Sequence, residues 1–427
     1  MARSFAGNIL RIVTAGWVLT LDGPAIRNGA MVLENDRIVD VGKLSDLVAR
    51  YPGVSVESYP GVFLPALINA HMHLELSHLQ VDFPLDRDKS FTDWVESLLL
   101  KRGQERFSEQ DITETALNQI EQQYNSGVVF IGDIGNDPKP LFLQKRSADF
   151  PEIYHMLEFL GSTKDAQEFA LNRLSSLDTA EHATAHAPYS TRPETLAKIK
   201  KRCKNLGHVF SIHTAEIAAE KDFICSQTGL FFEFLKKRGS WNGDFFEKGP
   251  KGYSKSTIDY FSKIDLLDKQ TLLVHCVHLT PLDLEIIKDS GAHICVCPGS
   301  NSFLHSGVAP IGEMIRHGIV PAIGTDSLAS NLSLNMWDEM QRIANEHPDV
   351  DSLDILKMAT QAGSRAFGKN KDYGSLSTGK KASFLHLFST EINNCITESD
   401  LLNMLVTYGR PEKIEWIQQS SMSSRSN

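Results

Sequence analysis

From about residue 63 onward the chain alternates short apolar runs that close on polar residues with longer stretches of helical spacing. Apolar runs rich in branched residues read as buried strands, and strands that alternate with helices pair in parallel. The candidate strands are 63–69, 127–133, 153–160, 182–187, 209–213, 271–275, 293–297 and 320–324. Eight such strands close most naturally into a (β/α)8 TIM barrel, whose active site lies at the C-terminal strand ends. An open doubly wound sheet is the alternative, but no Gly-x-Gly-x-x-Gly follows a strand to support it.

The flanks read differently. Residues 8–60 alternate β-type runs at 9–13, 17–20, 30–34 and 37–41 with turns, the last pair joined by Asn35-Asp36. Such patterning without helices suggests a small antiparallel unit. After about residue 369 a turn-rich stretch leads into a strand-like 383–388, expected to return to that N-terminal sheet and so make its domain discontinuous. The Ser-rich end at 420–427 is expected to be disordered.

Composition narrows the function classes. With 43 Lys plus Arg against 53 Asp plus Glu the net charge is −10, which argues against a nucleic-acid surface or an anionic membrane as partner. Six cysteines without a Cys-x-x-Cys pair make no disulfide framework and point to a reducing compartment. Cys295 and Cys297 share one strand face and are expected as core or pocket wall. The apolar run at 9–21 is broken by Arg11 and has no cleavage pattern, and no segment is long enough to span a bilayer. The expectation is a cytoplasmic protein acting on a small molecule, with a homodimer as the assembly left open.

The chemistry gathers at strand ends. In Asn69-Ala70-His71-Met72-His73-Leu74-Glu75 the two histidines are two apart on a strand and face one way, which makes half of a transition-metal site. His213 ends the fifth strand and Asp326 the eighth, completing a three-histidine, one-carboxylate set. Such a set around a divalent ion leaves room for a water, whose pKa falls towards about 7 when zinc holds it. Zinc is the first expectation and iron(II) the second. Taken singly, His213 or Asp326 is more often a hydrogen-bonded structural residue; the shared strand-end position is what sets them apart. Glu216, three residues after His213, is placed to exchange protons with a substrate nitrogen and water, although a first-turn glutamate also stabilises a helix N-terminus. His275 ends the sixth strand and is a candidate to orient the attacking oxygen, while His278, offset by three, is expected to be structural. His186 ends the fourth strand and is a candidate substrate contact.

Two motifs lead nowhere. The stretch 374–381 has the Gly-x4-Gly-Lys spacing of a phosphate loop, but Lys381 stands where Ser or Thr would bind the metal, and no buried strand precedes it. It is expected to be a turn. Asn331-Leu332-Ser333 fits a glycosylation acceptor that has no use in a cytoplasmic protein.

Taken together, Pro65-Ala66-Leu67-Ile68-Asn69-Ala70-His71-Met72-His73, His186-Ala187-Pro188-Tyr189, His213-Thr214-Ala215-Glu216, His275-Cys276-Val277-His278-Leu279, Cys297-Pro298-Gly299-Ser300-Asn301 and Gly324-Thr325-Asp326-Ser327-Leu328-Ala329-Ser330-Asn331 resemble the amidohydrolase superfamily, in its mononuclear deaminase and chlorohydrolase branch. The resemblance implies a (β/α)8 barrel over 63–370 with a composite β-sandwich built from 1–62 and 371–427. It also implies one divalent metal on His71, His73, His213 and Asp326, with proton transfer by Glu216, His275 and Asp326. No bridging lysine occurs in 182–189, so a single ion is expected. Ser383 stands where the family's turn usually has Asp.

Within that branch the chain is most similar to the aminodeoxyfutalosine deaminases of menaquinone biosynthesis, through His73-Leu74-Glu75-Leu76-Ser77, Phe91-Thr92-Asp93-Trp94 and 324–331. That resemblance implies an adenine nucleoside extended at its 5′ carbon into a carboxyphenyl ketone. The long stretch 76–100 would cover the extension, with Arg87, Lys89 and Trp94 as candidate contacts. The alternatives are deamination of methylthioadenosine or S-adenosylhomocysteine, another heterocycle deamination, or dechlorination of a triazine-like ring. A barrel reduced to an interaction scaffold would lack a ligand or proton-transfer residue, and none is missing.

Overall fold

The computed structural model describes residues 10–79, 89–104, 107–144, 150–241, 243, 245–246, 254–408 and 414–417. Arg87 and the Ser-rich end at 420–427 lie outside the described residues. The first sheet holds β1 (Leu10–Val18), β2 (Ile26–Arg27), β3 (Gly29–Glu34), β4 (Arg37–Lys43) and β5 (Ser55–Pro65). Period-two alternation sends Ile12 to one face, with Ala30, Val32 and Leu47, and Val13 and Ala15 to the other, with Met31, Leu33 and Phe63. Asn35 turns the β3–β4 hairpin at φ 53, a conformation Asn tolerates well.

Two features depart from the antiparallel expectation. Residues 10–13 and 17–18 of the two expected runs belong to one strand, β1, held along both edges by β3 and β5. The β1–β5 pair is parallel, and the helix Leu44–Arg50 lies between β4 and β5 in the chain. That helix buries only Leu47, so its apolar periodicity was too short to read.

The barrel follows, as β6 (Leu67–Met72), β7 (Val128–Gly135), β8 (Glu152–Phe159), β9 (His182–Ala185), β10 (Phe210–Thr214), β11 (Thr271–His275), β12 (His293–Val296) and β13 (Ala322–Ile323). β6 to β9 and β10 to β13 form two four-stranded parallel sheets. Backbone bonds join the two at both seams. His213 N donates to the His186 carbonyl at 2.9 Å, and Thr325 N and Asp326 N both donate to the His71 carbonyl at 3.0 Å. Gly324 makes the second seam feasible, because a Cβ there would lie 2.7 Å from His71 Cβ. Every seam atom belongs to, or adjoins, a candidate ligand.

After the barrel, β14 (Phe384–Leu387) pairs antiparallel with β5, and β15 (Ile414–Trp416) extends it, so segments from both sides of the barrel in the chain build the first sheet. The expected strand 63–69 is divided. Phe63 to Pro65 belong to β5, with Phe63 packed edge-on against Phe384 at 5.0 Å, and Ala66 breaks the run before β6 begins. Pro65, which cannot donate a ladder bond, is the one mark of the break in an otherwise apolar run. Residues 374–381 are a turn, in which Ser375 and Ser377 donate to the Asp22 carboxylate. Cys295 and Cys297 lie in the core with Ile68, Ala70, Phe130 and Val274. No described helix is long and apolar enough to cross a membrane.

Candidate active site

The C-terminal ends of β6, β10, β11 and β13 converge as the parallel alternation requires. Ligand atoms of His71, His73 and His213 lie within 4.8 Å of one another, and Asp326 Oδ1 stands 3.8 Å from His71 Nε2 and 3.6 Å from His73 Nε2. His71 is fully buried, and neither of its ring nitrogens has a hydrogen-bond partner. Orphaned buried imidazole nitrogens facing other imidazoles and a carboxylate are what a divalent cation satisfies. His213 Nδ1 donates to the His186 carbonyl at 2.7 Å, which leaves its Nε2 as a lone-pair ligand. Burial, then the neighbouring imidazoles, holds His71 well below the usual histidine range and brings His213 down to about 3. Neutral rings are the ligating form.

The two carboxylates are pushed apart. Burial, reinforced by the charge of Asp326, raises Glu216 well above the usual carboxylate range. Burial works the same way on Asp326, but His73, His275, His213 and the hydroxyl of Ser300 outweigh it and lower its pKa. Two carboxyls of one site whose pKa values are shifted in opposite directions suit opposite roles in proton transfer. Glu216 Oε1 stands 3.8 Å from His275 Nε2. Backbone strain gathers here as well: Ala215 (φ 48), His275 (φ 70), Cys276 (φ 52) and Asp326 (φ 61) occupy the left-handed region. Non-glycine residues persist there only where their surroundings hold them.

Supports behind these groups carry roles that sequence reasoning missed. Ser300 Oγ donates to Asp326 Oδ2 at 2.6 Å, and Asn301 Oδ1 takes His275 Nδ1 at 3.0 Å. Asn331 Nδ2 donates to the Thr325 carbonyl at 2.9 Å and to Glu339 at 2.8 Å, so this asparagine is structural. His278 Nε2 bonds the Ser306 carbonyl, the structural place expected of it. Asp133, at the end of β7, accepts from Leu74 N and holds His155 at 2.6 Å, which fixes the chain just after His73. The Cys297-Pro298-Gly299-Ser300-Asn301 motif was the signal for Ser300 and Asn301; nothing in the sequence marked Asp133 or His155.

A cavity of about 440 Å³ opens from this cluster. His73, His186, His213, Glu216, His275 and Asp326 line its floor, and Phe91, Trp94, Phe231 and Phe234 its apolar wall. Trp94 Nε1 is anchored to the Ala329 carbonyl at 3.2 Å, and His186 Nδ1 to Ser190 Oγ at 2.7 Å. Burial, then the neighbouring His73, brings His186 down to about 3. Lys89 is exposed and does not line the cavity. The cations that do are Arg102, 3.5 Å from Glu75, and Arg238, stacked over Phe234 at 5.6 Å. Glu158, at the end of β8, also faces the cavity, and its ligand atom lies within 4.8 Å of His186 and His213.

A barrel with this strand-end set defines a class, and the chain belongs to the amidohydrolase family, whose model matches residues 62–404. It is a hydrolase acting on carbon–nitrogen bonds. A model of an imidazolonepropionase-like composite domain of bacteria matches residues 29–53. Among relatives, the 5-methylthioadenosine/S-adenosylhomocysteine deaminase of Moorella thermoacetica is 27% identical over 405 residues, covering 86% of this chain and 83% of its own. The fold is that of the Helicobacter pylori aminofutalosine deaminase crystallised with methylthio-coformycin, at TM-score 0.77 and 24% identity over 95% of this chain and 100% of that one. It is also that of a Xanthomonas campestris adenosine deaminase with bound zinc, at TM-score 0.72 and 19% identity over 94% of this chain and 90% of the other.

Proposed function

We propose that this protein is a metal-dependent hydrolytic deaminase of an adenine-type nucleoside. The observation that carries the reading is the convergence of His71, His73, His213 and Asp326, with Glu216 and His275 beside them, at one cavity floor. His71, His73, His213 and Asp326 would hold the divalent ion, zinc by the donor set, whose chemistry is to acidify a water. Asp326 takes a proton from the attacking water. His275, its Nδ1 fixed by Asn301, steadies the oxygen as the new carbon–oxygen bond forms. Glu216 gives its proton to the ring nitrogen next to the attacked carbon. Protons then return to the exocyclic nitrogen, the carbon–nitrogen bond breaks, and ammonia leaves an oxo-purine.

The favoured substrate is aminodeoxyfutalosine, which places the enzyme in menaquinone biosynthesis. Support comes from the cavity itself: Phe91, Trp94, Phe231 and Phe234 offer an apolar wall for an aryl ketone, and Arg102 and Arg238 offer positive charge for its carboxylate. The second reading is deamination of methylthioadenosine or S-adenosylhomocysteine, supported by the names of the relatives. Comparison of kcat/KM for these nucleosides, adenosine and a chlorotriazine decides between them. The expected result is ammonia release with the extended nucleoside first. A simpler nucleoside in first place removes the substrate assignment, and halide release from the triazine as the best reaction removes the deaminase reading.

A further inference from the structure

Glu158 is a buried carboxylate that the proposed chemistry does not use. It ends β8, is 8% exposed and lines the cavity beside His186 and His213. One of its oxygens is committed to the wall: Oε2 accepts from Asn136 Nδ2 at 3.1 Å, and Asn136 N in turn donates to Glu75 Oε2 at 2.7 Å. The other, Oε1, is buried without a partner. A buried acceptor left unsatisfied is unfavourable, more so on a charged group, so a native protein keeps one where a ligand supplies the donor.

The neighbours do not supply it. His213 places its proton on the Nδ1 that faces the His186 carbonyl, and His186 places its own on the Nδ1 that faces Ser190 Oγ, whose hydroxyl donates to the Ala187 carbonyl at 3.2 Å, so the other nitrogen of each ring is an acceptor. An acceptor among acceptors calls for an O–H or N–H donor from outside. Its place in the barrel says which part of a substrate this is. The groups that meet the reacting atoms come from β6, β10, β11 and β13, whereas Glu158 stands on β8, midway between β6 and β10 along the ring. A nucleoside held with its amino carbon over Glu216 and Asp326 would meet Glu158 through its sugar, the part of the molecule that carries O–H donors.

We infer that Glu158 is a specificity-determining residue that accepts hydrogen bonds from the ribose 2′- and 3′-hydroxyls of the substrate, so the enzyme selects ribonucleosides. A cis-diol offers two O–H donors to an acceptor-only carboxylate. The inference rests on the nucleoside reading above, and the experiment separates the two. It compares adenosine with 2′,3′-dideoxyadenosine as substrates of metal-replete wild type, Glu158→Gln and Glu158→Ala, with metal content measured on each protein. In Glu158→Gln the amide oxygen stays on Asn136 and an NH2 replaces the acceptor.

Wild type is expected to prefer the ribonucleoside by about 10- to 100-fold in kcat/KM, the range of a hydrogen bond to a charged group. Both variants are expected to lose that preference through KM for adenosine, while keeping the metal and turning over the dideoxynucleoside within a few-fold of wild type. Calorimetric binding of inosine against dideoxyinosine is expected to show the same levelling. A variant that keeps the preference, or a wild type that has none, overturns the assignment. Loss of bound metal in Glu158→Gln overturns it in favour of a cation held with His186 and His213. Should wild type deaminate neither nucleoside, the inosine and dideoxyinosine binding comparison carries the test, and only failure with the extended nucleoside as well overturns the nucleoside reading and the assignment with it.

Discussion

The two walls of the cavity are built in contrasting ways. The inner wall, from β6, β10, β11 and β13, consists of buried strand-end side chains, of which His213, His275 and Asp326 are each held by a hydrogen-bond partner and the last two are set on left-handed backbone. The outer wall, with Phe91, Trp94 and Arg102 from the helix Phe91–Gln104 and Phe231 and Phe234 from Gly229–Lys237, consists of helix side chains. There Arg102 is 40% exposed, and Arg238, just beyond the second helix, is exposed as well. The difference teaches where reaction and specificity reside. An over-determined wall keeps its geometry whatever binds, which suits chemistry; a helical wall can exchange side chains without disturbing the barrel, which suits choice of substrate.

The contrast can be broken most severely at the inner wall. His71→Ala and Asp326→Ala are expected to drop bound metal from about one ion per chain to near none and abolish turnover, as read by metal analysis of the purified proteins; full metal content in either would undo the ligand assignment. Glu216→Gln keeps the shape and removes the transferable proton, so metal stays while kcat falls by about 10²- to 10⁴-fold. Ser300→Ala removes the 2.6 Å bond to Asp326 and should lower kcat by about 10- to 100-fold with KM little changed. An unchanged kcat would show that Asp326 does not need this support.

A smaller effect concerns the prop beneath that wall. Both nitrogens of His155 face acceptors, Asp133 Oδ2 at 2.6 Å and the Asp137 carbonyl at 2.8 Å. Burial is the largest influence and opposes its charge, but the bond to Asp133, the charge of Asp133, the Asp137 carbonyl and the charge of Glu75 together outweigh it and raise the pKa above the ordinary 6.5. A raised folded pKa adds stability that is full below the ordinary value and is lost as pH climbs through the folded one. The melting-temperature gap between wild type and His155→Gln should therefore be widest in mild acid and shrink on the alkaline side; a gap constant with pH would contradict the charged pair. Least of all, Arg238→Ala on the outer wall should leave kcat for adenosine unchanged and raise KM for the carboxylate-bearing nucleoside a few-fold, as expected of an exposed charge.

The same division governs what could be read from the chain. His71, His73, His213, His275 and Asp326 were legible because strand ends announce themselves, with an apolar run that stops on a ligand-type residue. Glu216 was legible by its offset from His213. Arg102 and Arg238 were not, since a helix face that meets a cavity from outside looks like any solvated face, and the expected Lys89 is exposed and does not line the cavity. Glu158 was passed over because one carboxylate at a strand end has no local signature until Asn136 and its unpartnered oxygen are seen. The division of the run at 63–69 depended on pairing with β14, some three hundred residues later, and no local pattern carries such a contact.

The central claim is that water replaces an exocyclic amine at the inner wall. Metal-stripped and metal-reloaded protein, each incubated with an adenine nucleoside in isotopically labelled water, tests it directly by mass spectrometry with ammonia assayed in parallel. The account predicts one ammonia per hypoxanthine nucleoside formed, solvent oxygen in the new ring carbonyl, and both only after reloading. Absence of conversion across adenosine, methylthioadenosine, S-adenosylhomocysteine and the extended nucleoside, or equal conversion by the stripped protein, would contradict it.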